Sequence, residues 1–272
     1  MNKRLILIIS DGAGNEPLQG VRLDKENYLN FFMSPEGGYW QENEICIFDK
    51  NDFCLNWLKA YSLQYRTLNN PIDYFVIVYC GHGYTDQYHN IWLQVRPDCD
   101  LKLDDLLGAV ADTRCLLIAD SCRAVARMDE GGRLTARRQL FSAIRDESRC
   151  YGEICRNFYE HLISRTPKKM QLVLFADSFN ETAGESERLG GYYSYFLLQA
   201  AKQMKESFQR QQIAGRSTDH CASPIYCHRL AVPEVVKISN DQQHPEILRC
   251  SRSVNKLPFV VVPNWQRQLD DI

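Results

Sequence analysis

Short apolar runs, each closed off by polar or turn-forming residues, recur along the sequence: Leu5 to Ile9, Ile45 to Phe48, Phe75 to Tyr79, Cys115 to Ala119, Leu172 to Ala176 and Phe259 to Val262. Their lengths and β-branched content predict buried strands. Between them lie stretches with helical period. Cys54, Trp57, Leu58, Tyr61 and Tyr65 form one, behind a cap at Asn51 or Asp52. Leu103, Leu106, Leu107 and Val110 form another, and Phe196, Leu197, Ala200, Ala201 and Met204 a third. Strands alternating with helices predict an α/β fold with a mostly parallel sheet covered on both faces. In such a sheet functional groups gather just past the carboxyl ends of strands, which directs attention to Asp11, to Cys80 through Gly83, to Asp120 through Arg123, and to Asp177 onward.

Two of those positions carry nucleophilic chemistry. The run ending at Tyr79-Cys80 continues into Gly81-His82-Gly83, so a histidine stands between two glycines at a strand end. The run Cys115 to Ala119 continues into Asp120-Ser121-Cys122, which puts a cysteine at the end of the next strand. Thiol proteolysis needs a thiol nucleophile and an imidazole that takes its proton and returns it to the leaving amine. His82 and Cys122 supply both, and the N–H groups of Gly83 and Cys122 lie where donors to a developing oxyanion are needed.

These residues resemble the two catalytic signatures of the caspase-like peptidases, a family that includes metacaspases, paracaspases and bacterial relatives. The resemblance extends through Leu172 to Asp177, Thr182-Ala183-Gly184-Glu185 and Gly190-Gly191-Tyr192-Tyr193-Ser194-Tyr195-Phe196, and covers about Leu5 to Gln209. It is loose from Gln243-His244-Pro245 to Val262, where a closing strand is expected. The resemblance implies a three-layer sandwich around a mostly parallel six-stranded sheet, and a cysteine endopeptidase acting on a protein substrate. It departs from animal caspases, which have glutamine-alanine before the cysteine where this chain has Asp120-Ser121. An acid at that position resembles metacaspases and paracaspases, which cut after arginine or lysine. On this resemblance Asp120, with Asp11 after the first strand and Glu185 in the loop after the fifth, forms the pocket for the side chain preceding the cut. Opposed carboxylates bind a guanidinium and repel an aspartate.

The residues 1–272 are expected to form a single domain, with 123–152 a variable linker and 221–272 a C-terminal extension. The linker holds seven arginines and Gly131-Gly132. Arg133, Arg137 and Arg138 are sites at which a basic-specific protease could cut it during maturation, although Leu134, Leu140, Phe141 and Ile144 also fit a short amphipathic helix. Net charge is -2, which argues against nucleic acid as a direct partner. No apolar stretch approaches the roughly 20 residues of a membrane span. Eleven cysteines without framework spacing predict reduced thiols in a cytoplasm. An activating or inhibitory protein partner and a role in defence or cell death follow only from the resemblance.

Other patterns are weaker. Asp11-Gly12-Ala13-Gly14 lacks the third glycine or the lysine of a phosphate loop. His220-Cys221 and Cys227-His228 lack zinc-ligand spacing. His89 is expected to be structural. No cofactor and no metal are expected, although calcium dependence stays open. The competing class is a catalytically silent caspase-like scaffold or regulator, and a nucleotide-binding α/β regulator is a third.

Overall fold

The structure is a computed structural model that describes residues 1–10, 18–49, 52–96, 98–124, 147–214, 218–250 and 257–264. The first half of the chain gives β1 (Lys3–Ser10), α1 (Val21–Met33), β2 (Ile45–Phe48), α2 (Leu55–Thr67), β3 (Tyr74–Gly81), β4 (Gly83–Thr85), β5 (Ile91–Arg96), β6 (Cys99–Lys102), α3 (Leu103–Ala109) and β7 (Arg114–Asp120). The second half gives α4 (Glu147–Ser164), β8 (Gln171–Phe175), β9 (Glu185–Ser186), β10 (Gly190–Gly191), α5 (Tyr192–Ile213), β11 (His220–Ala222), α6 (Pro224–Ile238), β12 (Glu246–Cys250) and β13 (Val260–Val262).

Six strands form the central sheet in the order β12-β8-β7-β3-β1-β2, parallel throughout except for β12, which runs antiparallel to β8. Strand alternation sorts its side chains into two cores. Leu5, Leu7, Val76, Val78, Leu116 and Ile118 face one layer, with Phe32 of α1, Tyr159 of α4, Leu197 of α5 and Ile225 of α6. Ile6, Ile8, Phe75, Ile77 and Leu117 face the other, with Leu58 of α2 and Leu106 of α3. Each such side chain, fully buried, stabilises the fold by about 1.5–3 kcal/mol. Both faces are covered, which is why the parallel strands read as unbroken apolar runs rather than as alternating ones. The α/β three-layer sandwich expected from the sequence is what forms.

Three details differ from the sequence expectation. The run ending at Val262 is not the sixth strand of the central sheet: β13 pairs instead with β11 in a separate two-stranded sheet. The edge place beside β8 goes to β12, whose Glu246 and Arg249 suit a solvated edge. The helix after the nucleophile begins at Glu147, inside the stretch 123–152 assigned to the linker, and Cys155, Tyr159 and Ile163 form its buried stripe. Helix α2 starts at Leu55 behind Cys54, with no side-chain cap. Asp11, Gly12, Ala13, Gly14 and Asn51 lie outside the described residues, as do Gly131-Gly132, Arg133, Leu134, Arg137, Arg138, Leu140, Phe141 and Ile144. Among the described residues no helix is long and apolar enough to cross a membrane.

Candidate active site

Strands β3 and β7 lie side by side and parallel, with Cys80 opposite Asp120. His82 and Cys122 each follow two residues later, so both residues stand at the carboxyl edge of the sheet, at the ends of adjacent strands. The His82 carbonyl is held by the Gln94 N–H at 3.0 Å and by the Tyr79 hydroxyl. These bonds fix the backbone that carries the ring. The Cys122 thiol donates to the Ala183 carbonyl, with Sγ and O 3.8 Å apart. Burial first, then the charges of Asp177, Asp120 and Glu185, push this thiol up to about 11. At neutral pH the resting nucleophile is a thiol, and a base must remove its proton.

Gly83 follows His82 directly. Because Gln94 donates to the His82 carbonyl, Gly83 stands opposite Leu93 in the non-hydrogen-bonded position of the antiparallel pair β4·β5. Its N–H therefore turns away from β5. Two residues on, Thr85 has the same orientation and donates to the Ala124 carbonyl at 3.2 Å, which identifies the segment after Cys122 as what lies on that side. A Cβ on Gly83 would sit 2.8 Å from Ser121 Oγ and 3.0 Å from the Cys122 carbonyl, so only glycine permits this approach.

Beside the thiol is a narrow cavity lined by Leu18, Val21, Asp24, Asp120, Cys122 and Glu185, among others. Three of these are carboxylates. Asp120 accepts the Ser194 N–H at 2.8 Å, and Asp24 accepts the Gly191 N–H at 3.1 and 3.0 Å on its two oxygens. Both acids thus sit at the N-terminal end of α5, where the helix dipole favours negative charge. Glu185 accepts the Gly20 N–H at 3.2 Å, at the start of α1. Burial raises the carboxyl of Asp120, and burial together with the Asp120 charge raises those of Asp24 and Glu185. A Cβ on Gly191 would stand 2.3 Å from Asp120 Oδ2, so the backbone here must come unusually close to the acids.

Asp120 and Glu185, two of the acids singled out in the sequence, both line this cavity. Asp11 lies outside the described residues, and the third acid lining the cavity is Asp24, which sequence reasoning missed. Its signal was an acid within the buried stripe Val21, Asp24, Tyr28 and Phe32 of an amphipathic helix. Asp177, just past the end of β8, is a further buried acid: it accepts the Arg123 N–H at 3.0 Å, with Arg123 Nε 3.8 Å from its other oxygen. Burial lifts its carboxyl to about 8. Arg123 also pairs with Glu246 of β12.

The remaining candidates are accounted for by packing. His89 has φ 64° in the turn between β4 and β5, and its ring lies 4.9 Å from Phe179. His228 shares a hydrogen bond with the Tyr193 hydroxyl at 2.8 Å, and His220 stacks on Phe208. Among the described residues no group of three or more His, Cys, Asp or Glu side chains is arranged to hold a metal ion.

The sequence matches no protein-family model and no curated protein. Its structure is similar to solved ones. A crystal structure of caspase-1 from Spodoptera frugiperda superposes with a TM-score of 0.53 at 12% identity, over 92% of this chain and 88% of that one. A crystal structure of a Geobacter sulfurreducens protein gives a TM-score of 0.51 at 15% identity, over 96% of this chain and 100% of that one. The chain has a caspase-like fold.

Proposed function

We propose that this chain is a cysteine endopeptidase that cuts proteins after arginine or lysine, with Cys122 as nucleophile and His82 as its base. The observation that carries the reading is Cys122 at the rim of a cavity lined by three acids, with His82 two residues past the matching end of the adjacent, in-register strand. In the first step His82 accepts the Cys122 proton, and the thiolate sulfur attacks the scissile carbonyl carbon. The resulting oxyanion is held by the N–H groups of Gly83 and Cys122. The C–N bond breaks as the imidazolium returns its proton to the leaving amine. Water, deprotonated by His82, then hydrolyses the thioester and frees Cys122.

Specificity follows from charge. Asp24, Asp120 and Glu185 share one small volume with no side-chain cation among the cavity's lining residues. A guanidinium or ammonium entering it meets acids already desolvated and held in place, whereas an aspartate side chain meets repulsion. The alternative, a silent scaffold, has the high pKa of the resting thiol in its favour. A positional-scanning peptide library, run with the Cys122→Ala variant as control, separates the two. The protease reading expects cleavage confined to bonds after Arg and Lys and absent from the variant. No cleavage of any member by the wild type, at pH values on both sides of neutrality, rejects it.

A further inference from the structure

The cavity and the nucleophile share one wall, the backbone from Ala183 to Glu185, which lines the cavity and accepts the Cys122 thiol. This wall ends a loop that leaves β8, and none of residues 178–184 is buried. Ala183 packs against the core, Phe179 lies against His89, and the Arg123 N–H donates to the Glu181 carbonyl while the Arg123 carbonyl accepts the Asn180 N–H. Further hydrogen bonds come from the connector between α6 and β12. Ser178 Oγ donates to the His244 carbonyl at 2.9 Å, and Glu181 accepts the His244 N–H at 2.7 Å and faces its Nδ1 at 2.8 Å. These contacts grip the start and middle of the loop.

The wall itself is gripped by Gln243, which is 1% exposed. Its Nε2 donates to the Ala176 carbonyl at 2.9 Å, where the loop begins. Its Oε1 accepts the Gly184 N–H at 2.9 Å, where the wall stands. The Gln243 N–H donates to Ser239 Oγ at 3.1 Å, which fixes the main chain from which the amide projects. From the other side the Tyr192 N–H donates to the Gly184 carbonyl at 2.9 Å. We infer that Gln243 is a positioning residue for the specificity pocket, its amide setting where Ala183 to Glu185 stand against Cys122 and the carboxylates. This inference rests on the protease reading. Only a side chain that donates and accepts at once meets both needs: alanine leaves a buried carbonyl and a partly buried N–H without this partner, and an ionised glutamate offers two acceptors where one donor is needed. A protonated glutamate, in contrast, reproduces both bonds.

The test is steady-state kinetics of wild type, Gln243→Ala and Gln243→Glu on an arginine peptide between about pH 5.5 and about pH 8.5, each variant divided by wild type at the same pH. That ratio removes the titration of Asp177, Glu181, His244 and the cavity acids. Gln243→Ala is expected to raise KM about tenfold or more at every pH, with Cys122 alkylation by iodoacetamide changed less than about threefold. Gln243→Glu is expected near the wild-type KM at the acid end, with the ratio growing as pH rises and the new carboxyl ionises. Gln243→Ala within about twofold of wild type in KM, alkylation that falls in step with it, or a flat Gln243→Glu ratio overturns the inference. If Gln243→Ala does not fold, the slope of Gln243→Glu decides alone. A wild type that cuts no arginine peptide overturns the protease reading and this inference with it, an outcome distinct from active variants that match wild type.

Discussion

The two ends of the central sheet both bury charge, and they do so in opposite ways. At the end where β1, β3 and β7 begin, the charges are cations and each has partners. Lys3, 0% exposed, donates to the Gly38 carbonyl at 3.1 Å, lies 3.3 Å from Glu160 Oε1 and sits 4.6 Å over the Trp40 ring. Arg4 donates to the Tyr61 hydroxyl at 2.7 Å, and Arg114 donates to Thr166 Oγ1 at 2.9 Å and to the Thr166 carbonyl at 2.8 Å. At the end where the same strands finish, the charges are acids. Asp24, Asp120 and Glu185 have backbone donors and one another, and only Asp177 has an arginine. A buried charge with its counter-charge is part of the scaffold. Like-charged acids gathered around a cavity lower stability, and on the proposed function a cationic substrate supplies the missing sign.

Substitutions at the two ends should therefore separate stability from activity. The largest effect expected is from Cys122→Ala, which should lower kcat by on the order of 10⁴-fold or more while leaving thermal unfolding near that of the wild type. Next come the acids. Asp120→Asn and Asp24→Asn each keep a backbone-accepting oxygen, and each should reduce kcat/KM on arginine peptides by about ten- to a hundredfold, with Tm unchanged or raised. Lys3→Met at the opposite end should do the reverse: denaturant unfolding should show a loss of about 1–3 kcal/mol, because the Gly38 carbonyl loses its donor, while KM for arginine stays put. An Asp24→Asn variant that unfolds more readily than Lys3→Met would break the comparison.

The smallest effect expected is in pH. Asp177 has a folded carboxyl near 8 against an ordinary value of 3.8, so it favours the folded state below about pH 4 and that contribution is lost as pH rises through 8. Asp24 and Asp120 act in the same direction. Lys3, lowered to about 8 from 10.5, has the opposite slope above pH 8, where the unfolded chain holds the proton that the folded one has released. Tm should fall between pH 5 and pH 8, and Asp177→Asn should flatten that decline. A Tm that climbs over the same interval in the wild type would contradict the assignment of unsatisfied acids to this end.

How much of this was legible in the sequence depended on burial. Strands buried on both faces, such as β3 and β7, announce themselves as continuous apolar runs, so the positions of His82, Cys122 and Asp120 at their ends were legible, while the role given to Asp120 came from the resemblance. The edge strand β12 had no apolar pattern, since Glu246 and Arg249 break it, and only the loose resemblance over 243–262 placed a closing strand in that stretch; Val260–Val262, although fully apolar, belongs to a different sheet. Asp24 was hidden because an acid in a helix reads as a solvated face unless the stripe around it is drawn, and its partner Gly191 is 167 residues away. Gln243 was hidden for a similar reason. Its neighbours in sequence are polar, and what buries it is the loop after β8, which no local pattern brings near.

The most direct test of the central claim is the ratio of kcat/KM for two peptides identical except for arginine or aspartate before the scissile bond, measured with the wild type and with the Asp24→Asn/Asp120→Asn double variant. Three desolvated carboxylates around one cavity predict cleavage of the arginine peptide, none of the aspartate peptide, and a ratio that collapses by at least about a hundredfold in the double variant. Cleavage after aspartate by the wild type, or an arginine preference that survives loss of both charges, would contradict the account.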